Sequence, residues 1–463
     1  MITSPRSLRA TLAFGLVTVL SVSFGCADPV QAPVFPTTAN LGKAPSGPSV
    51  SAATPPYGRQ GETGERVTIT GSGFAPGAVA TWSRGGDTTK VIVRSTEYVS
   101  STQLVATIDI APDAELAFYD IAVTNLDRKK GIGTEMFEVT TGVPLGSLGG
   151  NTNANAVSDM GDAVGYTIIS NAQRAFYWSE TTGMIDVGGT NALGIDAAGS
   201  TIVGNGAGMP LVWTGAGTSW SSQVLPLSPG ATGGDATSVA SDPITGVATI
   251  IGGSEGIPAK RGSLSQPRLW RRTGSSWQIV VLPMPFANIS GTFAWVKSVN
   301  ANGQATGTVR PGGGDPRAVV WEADGSVADL GPGAAAGINA AGTAIAGFLY
   351  VNTGTGPRYW WRNNVGETWN GPEILPGGCW DVTGMDDAGR IIARGCPIPG
   401  SSRTTGGVFA PPYTSQPALL PGLGDLTEGG VVYGISRNGS YIVGTAKTRP
   451  SRVAVRWLNP LAP

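Results

Sequence analysis

Histidine is missing from all 463 residues, and with it the usual metal ligand and the usual proton carrier near neutral pH. Charge is scarce as well. Asp, Glu, Lys and Arg make up 13% of the chain, and 30 basic against 31 acidic side chains offer no electrostatic footprint for nucleic acid. The three cysteines form no Cys-x-x-Cys pair, no phosphate-binding loop occurs, and no Gly-x-Ser-x-Gly elbow is expected. Few windows place apolar residues at helical spacing. No cofactor and no metal are expected.

What the chain has instead is glycine and proline, 70 and 34 of them, without collagen's period of three. Between them lie short Val/Ile/Thr/Trp runs bounded by Gly, Asn, Asp and Pro, the pattern of many strands joined by tight turns. An all-β chain is expected.

Arg6 and Arg9 precede an apolar run from Leu12 to Val22, and Phe24, Gly25 and Cys26 follow it. This is the layout of a signal peptide over residues 1–25, and the run is too short to span a membrane. Its removal leaves a net charge of about −3, since the segment holds two arginines and no acid. The Gly25-Cys26 junction resembles a bacterial lipobox, although Ser23 stands where that motif prefers an aliphatic residue. The resemblance implies lipidation of Cys26; the alternative is ordinary cleavage with a free thiol. Residues 26–56 are rich in Pro, Ala, Ser and Thr and poor in large apolar side chains, so they are expected to be a flexible tether. The remainder would then be extracytoplasmic, anchored to the bacterial envelope.

Residues 57–142 alternate in Val67-Thr68-Ile69, in Leu104 to Ile110 and in Tyr119 to Val123, as strands of a small antiparallel sandwich do. The stretch from Gly64 to Phe74, with its Gly71-Ser72-Gly73-Phe74 turn, resembles the opening of IPT/TIG domains. That resemblance implies an immunoglobulin-like fold acting mostly as a spacer.

From Val143 to Pro463 one pattern returns seven times, its turn glycines being Gly161, Gly199, Gly246, Gly303, Gly342, Gly389 and Gly439. Their mean spacing of about 46 residues suits one four-stranded propeller blade. In Asp196-Ala197-Ala198-Gly199 and Asn339-Ala340-Ala341-Gly342 the first residue can bond its own backbone while the glycine closes the turn. One carboxylate per turn is too few for calcium. After the second strand comes an aromatic, at Trp178, Trp213, Trp270, Trp321, Trp360, Phe409 and Trp457, which most simply fills the gap between neighbouring sheets. The seventh repeat lacks a fourth element, and its missing copy lies upstream in Val143 to Gly150. A closed seven-bladed ring, its last blade completed by that N-terminal strand, is expected. Leu148-Gly149-Gly150, Ile202-Val203-Gly204, Arg174-Ala175-Phe176-Tyr177-Trp178 and Asp329-Leu330-Gly331 resemble the bacterial HAF-type extracellular repeat, without its histidine. That resemblance implies an extracellular location and no defined chemistry.

Two residues before each blade's turn stand Ala156, Gly194, Ser238, Ser298, Gly337, Gly384 and Gly434, all small, as crowding near a central axis demands. Five before it the row is polar and varied, and it should sit near one mouth of the channel. Asp235 and Asp381 in that row belong to blades nearly opposite each other, a poor arrangement for a paired acid and base, and their simpler reading is as solvated or capping residues. Trp295 departs from its row: it either fills a wide gap in its blade or offers a stacking surface, with Lys297 beside it on the same face. The ligand-binding candidates are therefore Asp235, Trp295, Lys297 and Asp381. Cys379 and Cys396 flank the sixth turn symmetrically and are expected to form a disulfide. The functional expectation is a tethered binding or adhesion module for an unknown glycan or protein, not an enzyme. A glycan-active enzyme and a structural part of an envelope assembly are the alternatives.

Overall fold

The computed structural model describes residues 47–258, 263–286, 291–349, 356–400, 403–420, 430–448 and 451–462. The signal peptide, Cys26 and most of the expected tether lie outside them. No helix among the described residues is long and apolar enough to cross a membrane.

Residues 49–140 form a sandwich of two four-stranded sheets. One runs Ser49–Thr54, Thr63–Ser72, Gln103–Ile110, Val91–Ser100; the other runs Tyr57–Arg59, Lys130–Thr140, Phe118–Thr124, Val79–Ser83. Leu104, Ala106, Ile108 and Ile110 alternate into the core with Val67 and Ile69, and Trp82 meets Phe137 edge-on at 5.8 Å. The fold corrects the expected tether boundary. Ser49–Thr54 pairs with Thr63–Ser72 and buries Val50 and Ala53, whose unequal spacing reflects a register shift between Val50 and Ala52 that masks the alternation in the sequence.

Beyond the sandwich the described strands make seven four-stranded units, spanning 152–186, 191–224, 233–281, 293–332, 334–374, 381–419 and 431–458. The third and fourth are joined by a single parallel pair, Ser265 with Phe293. The second strand of each unit packs on the first strand of the next, and Tyr441–Thr448 of unit 7 packs on Thr152–Val157 of unit 1. The result is a β-propeller. Its last unit takes its fourth strand from Gly142–Pro144, where Val143 faces Arg456 and Gly142 faces Trp457. This closing strand is shorter than the sequence pattern indicates, because Ser147 turns the chain by accepting the amides of Gly149 and Gly150.

All seven turn glycines have positive φ, from 68° to 89°. Asp196 accepts the amides of Ser200 and Thr201, and Asn339 those of Thr343 and Ala344, so the side chain at each turn start holds the hairpin. The aromatic row is buried throughout. Trp270, Trp321 and Trp360 each donate their indole N–H to a carbonyl near the outer edge of the preceding unit, at Pro226, Pro283 and Leu330. Cys379 and Cys396 are joined as a disulfide across the inner hairpin of unit 6.

Candidate functional site

The first strand of every unit lines the axis, and each one carries a β-bulge at the same place. The extra, unpaired residue is Asn155, Leu193, Thr237, Lys297, Ala336, Thr383 and Tyr433 in turn. All seven line one cavity of about 950 Å³ at the axis. A bulge re-aims the residue it adds, so here it turns that side chain inward while the pleat on either side packs between blades. Glycine on the second strand makes room for it. A Cβ at Gly165, Gly204, Gly253, Gly307, Gly347 or Gly444 would come within 2.1 Å of the first-strand carbonyl of Asn153, Asn191, Asp235, Trp295, Ala334 or Val431. Unit 6 has Ala393 at that position.

The small row two residues before each turn is crowded as expected. A Cβ on Gly434 would meet the backbone of Asn155 and Ala156 in the next unit, and one on Gly337 would meet Met385. The residues that line the axis, however, stand three before the turn, which alternation alone does not reveal.

Asp235, Trp295, Lys297 and Asp381 all line this cavity. Asp381 is held by Arg394, whose Nη2 and Nε lie 2.6 and 2.8 Å from one carboxylate oxygen, and Asp235 accepts the Asn205 amide. Trp295 is 37% exposed, so it does not fill a gap between sheets. Two of the other polar bulge residues clasp the next unit: Asn155 donates to Asn191 Oδ1 and the Ala192 carbonyl, and Thr237 donates to the Val296 carbonyl. Among the described residues Lys297 has no hydrogen-bond or ion-pair partner. Its side chain is exposed to the cavity. Desolvation first, and then the nearby Arg394 charge, hold its pKa below the ordinary lysine value. The Thr383 hydroxyl beside the lumen also lacks a partner.

One end of the cavity is crossed by a side chain. Arg437, in the turn of unit 7, crosses the axis and donates through Nη2 to the carbonyls of Val239 and Val299, at the ends of the inner strands of units 3 and 4. At this same turn end the chain enters the ring, because Gly142 faces Trp457 and the adjacent Leu458 faces Tyr441 just past the unit 7 turn. The end of the cavity that Arg437 does not cross is therefore on the side of the ring opposite the entry of the sandwich. A smaller cavity of about 400 Å³ at the seam includes Arg59, Glu62, Glu180 and Arg456, but these charges are already paired with one another.

Among the described residues no group of three or more Cys, Asp or Glu could hold a metal ion.

Residues 48–131 match the IPT/TIG domain family. This segment of the chain is an IPT/TIG domain. No curated protein sequence matches the chain. Among solved structures, similar folds include TolB from Acinetobacter baumannii, at 11% identity and a TM-score of 0.32 over 52% of this chain. A post-proline cleaving enzyme from Rickettsia typhi is similar at 10% identity and a TM-score of 0.34 over 79% of this chain. The matches cover 57% and 49% of those two proteins' own lengths. The second likeness overturns the expectation that the chain is not an enzyme, since an enzyme stands among its structural neighbours; the likeness shows no activity by itself. Gly252-Gly253-Ser254-Glu255-Gly256 has the spacing of a nucleophile elbow, which corrects the expectation that the chain holds none. The structure lays it along one strand, Ala248–Pro258, with Ser254 paired to Asp235 on one side and Pro267 on the other, rather than at a strand-to-helix turn.

Proposed function

We propose that this protein is an extracytoplasmic binding module, anchored to the bacterial envelope through an acylated Cys26, in which the IPT/TIG domain is a spacer and the propeller of HAF-like repeats presents its open mouth to a glycan or protein ligand. The observation that carries this reading is the cavity at the axis, where an exposed tryptophan and a lysine without a partner among the described residues stand among polar groups, within the size range of small-ligand sites. The signal-peptide pattern and the Gly25-Cys26 junction support export and lipidation.

A glycan and protein array probed with the purified protein, beside its Trp295→Ala variant, tests the reading. A ligand retained by the first and lost by the second is the expected result. Binding that ignores the substitution would move the site elsewhere. Labelled palmitate fed to producing cells checks the anchor, and a soluble, unlabelled product would remove it.

A further inference from the structure

We propose that the channel mouth receives the end of an acidic glycan, a terminal uronic acid whose carboxylate meets Lys297 while its ring lies against Trp295. The inference rests on the binding reading above and gives that site its substrate class.

Four features of the mouth converge on this chemistry. Lys297 is exposed to the cavity and has no hydrogen-bond or ion-pair partner among the described residues, so its ammonium is free to meet an anion. None of the three carboxylates that line the cavity, Asp235, Asp315 and Asp381, is paired with it: Asp381 is held by Arg394 and Asp235 is engaged by Asn205. A ligand that carries an anion satisfies the lysine.

Two residues before Lys297, the Trp295 ring is 37% exposed in the same cavity. A carboxylate alone gives that ring no role, and an apolar ligand gives Lys297 none. A pyranose with a carboxylate meets both, because its C–H face stacks on an indole while its charged corner reaches the ammonium. Its hydroxyls would meet a wall whose polar members include Asn155, Thr237 and Thr308.

The closed end decides how much of the glycan enters. Because Arg437 spans the axis at the turn end, a chain cannot thread the ring. Only a terminus fits.

Titration calorimetry on the intact protein tests this with three probes: a disaccharide ending in glucuronic acid, its counterpart ending in glucose, and a dipeptide with a free C-terminal carboxylate. The acidic disaccharide should bind at least about tenfold more tightly than either of the others. Lys297→Met should remove that advantage and leave the glucose counterpart unchanged, whereas Trp295→Ala should weaken both sugars. The Lys297→Met protein should melt at the same temperature as the unsubstituted protein, since an exposed lysine without a partner contributes little to the fold, so its loss of binding would not be a loss of fold. Equal binding of the two sugars, undiminished binding by Lys297→Met, a dipeptide as tight as the acidic sugar, or no binding of the acidic disaccharide at millimolar concentration overturns the inference. If an array ligand still depends on Trp295 while Lys297→Met has no effect, the binding module stands without the acidic sugar. If no array ligand depends on Trp295, the binding reading itself falls.

Discussion

Trp321 and Trp295 stand in the same unit with opposite surroundings. Trp321 is fully buried, packs with Leu282 and Val309, and donates its indole N–H to the Pro283 carbonyl at 2.7 Å; Trp295 faces the lumen. Trp321→Ala should therefore cost about 3–5 kcal/mol, and Trp295→Ala much less, both read from urea unfolding. Equal losses would place Trp295 in the packing and remove it from the mouth. The buried row was legible in the sequence because an aromatic returns at one place in every repeat, and a recurrent gap is its simplest cause. Trp295 and Lys297 were legible as neighbours on one face. That Lys297 has no partner among the described residues, while Asn155 and Thr237 at the equivalent positions clasp the next blade, depends on which backbone atoms each side chain can reach. No single repeat contains that information.

At the scale of the strand, the bulge determines what the channel presents. A glycine in the second strand is visible in most repeats, but it is compatible with a bulge, a bend or a close approach, and the three cannot be told apart from sequence. The structure shows glycine and bulge as two halves of one device in six units, with Ala393 in the sixth. In that unit Cys379 and Cys396 clamp the inner hairpin, 17 residues apart in sequence and both buried. Reduction should lower the unfolding free energy by roughly 3 kcal/mol, from the chain entropy the link removes from the unfolded state. Urea midpoints measured with and without reductant give the answer, and coincident midpoints would assign the bond no stabilising role. The pairing was readable because both cysteines lie equally far from a turn whose position the repeat defines.

For the whole molecule, closure depends on three residues, Gly142–Pro144, laid against Ser451–Leu458. A chain that begins at Asn151 leaves that last strand with an exposed edge, and it should melt lower and aggregate more readily than one that begins at Thr141. Light scattering during a thermal melt compares the two, and identical curves would rule out closure by this strand. Sequence by itself determined the all-β class, the IPT/TIG segment, the sevenfold repeat, the offset strand and the cysteine pair, because each is a periodic or local pattern of residue types. Tertiary structure alone decided that Ser49–Thr54 belongs to the sandwich, that the bulge residues face the axis, and that Arg437 crosses the end at which the chain enters the ring. Those features arise from contacts between strands far apart in the chain, whose geometry is fixed only when the ring closes.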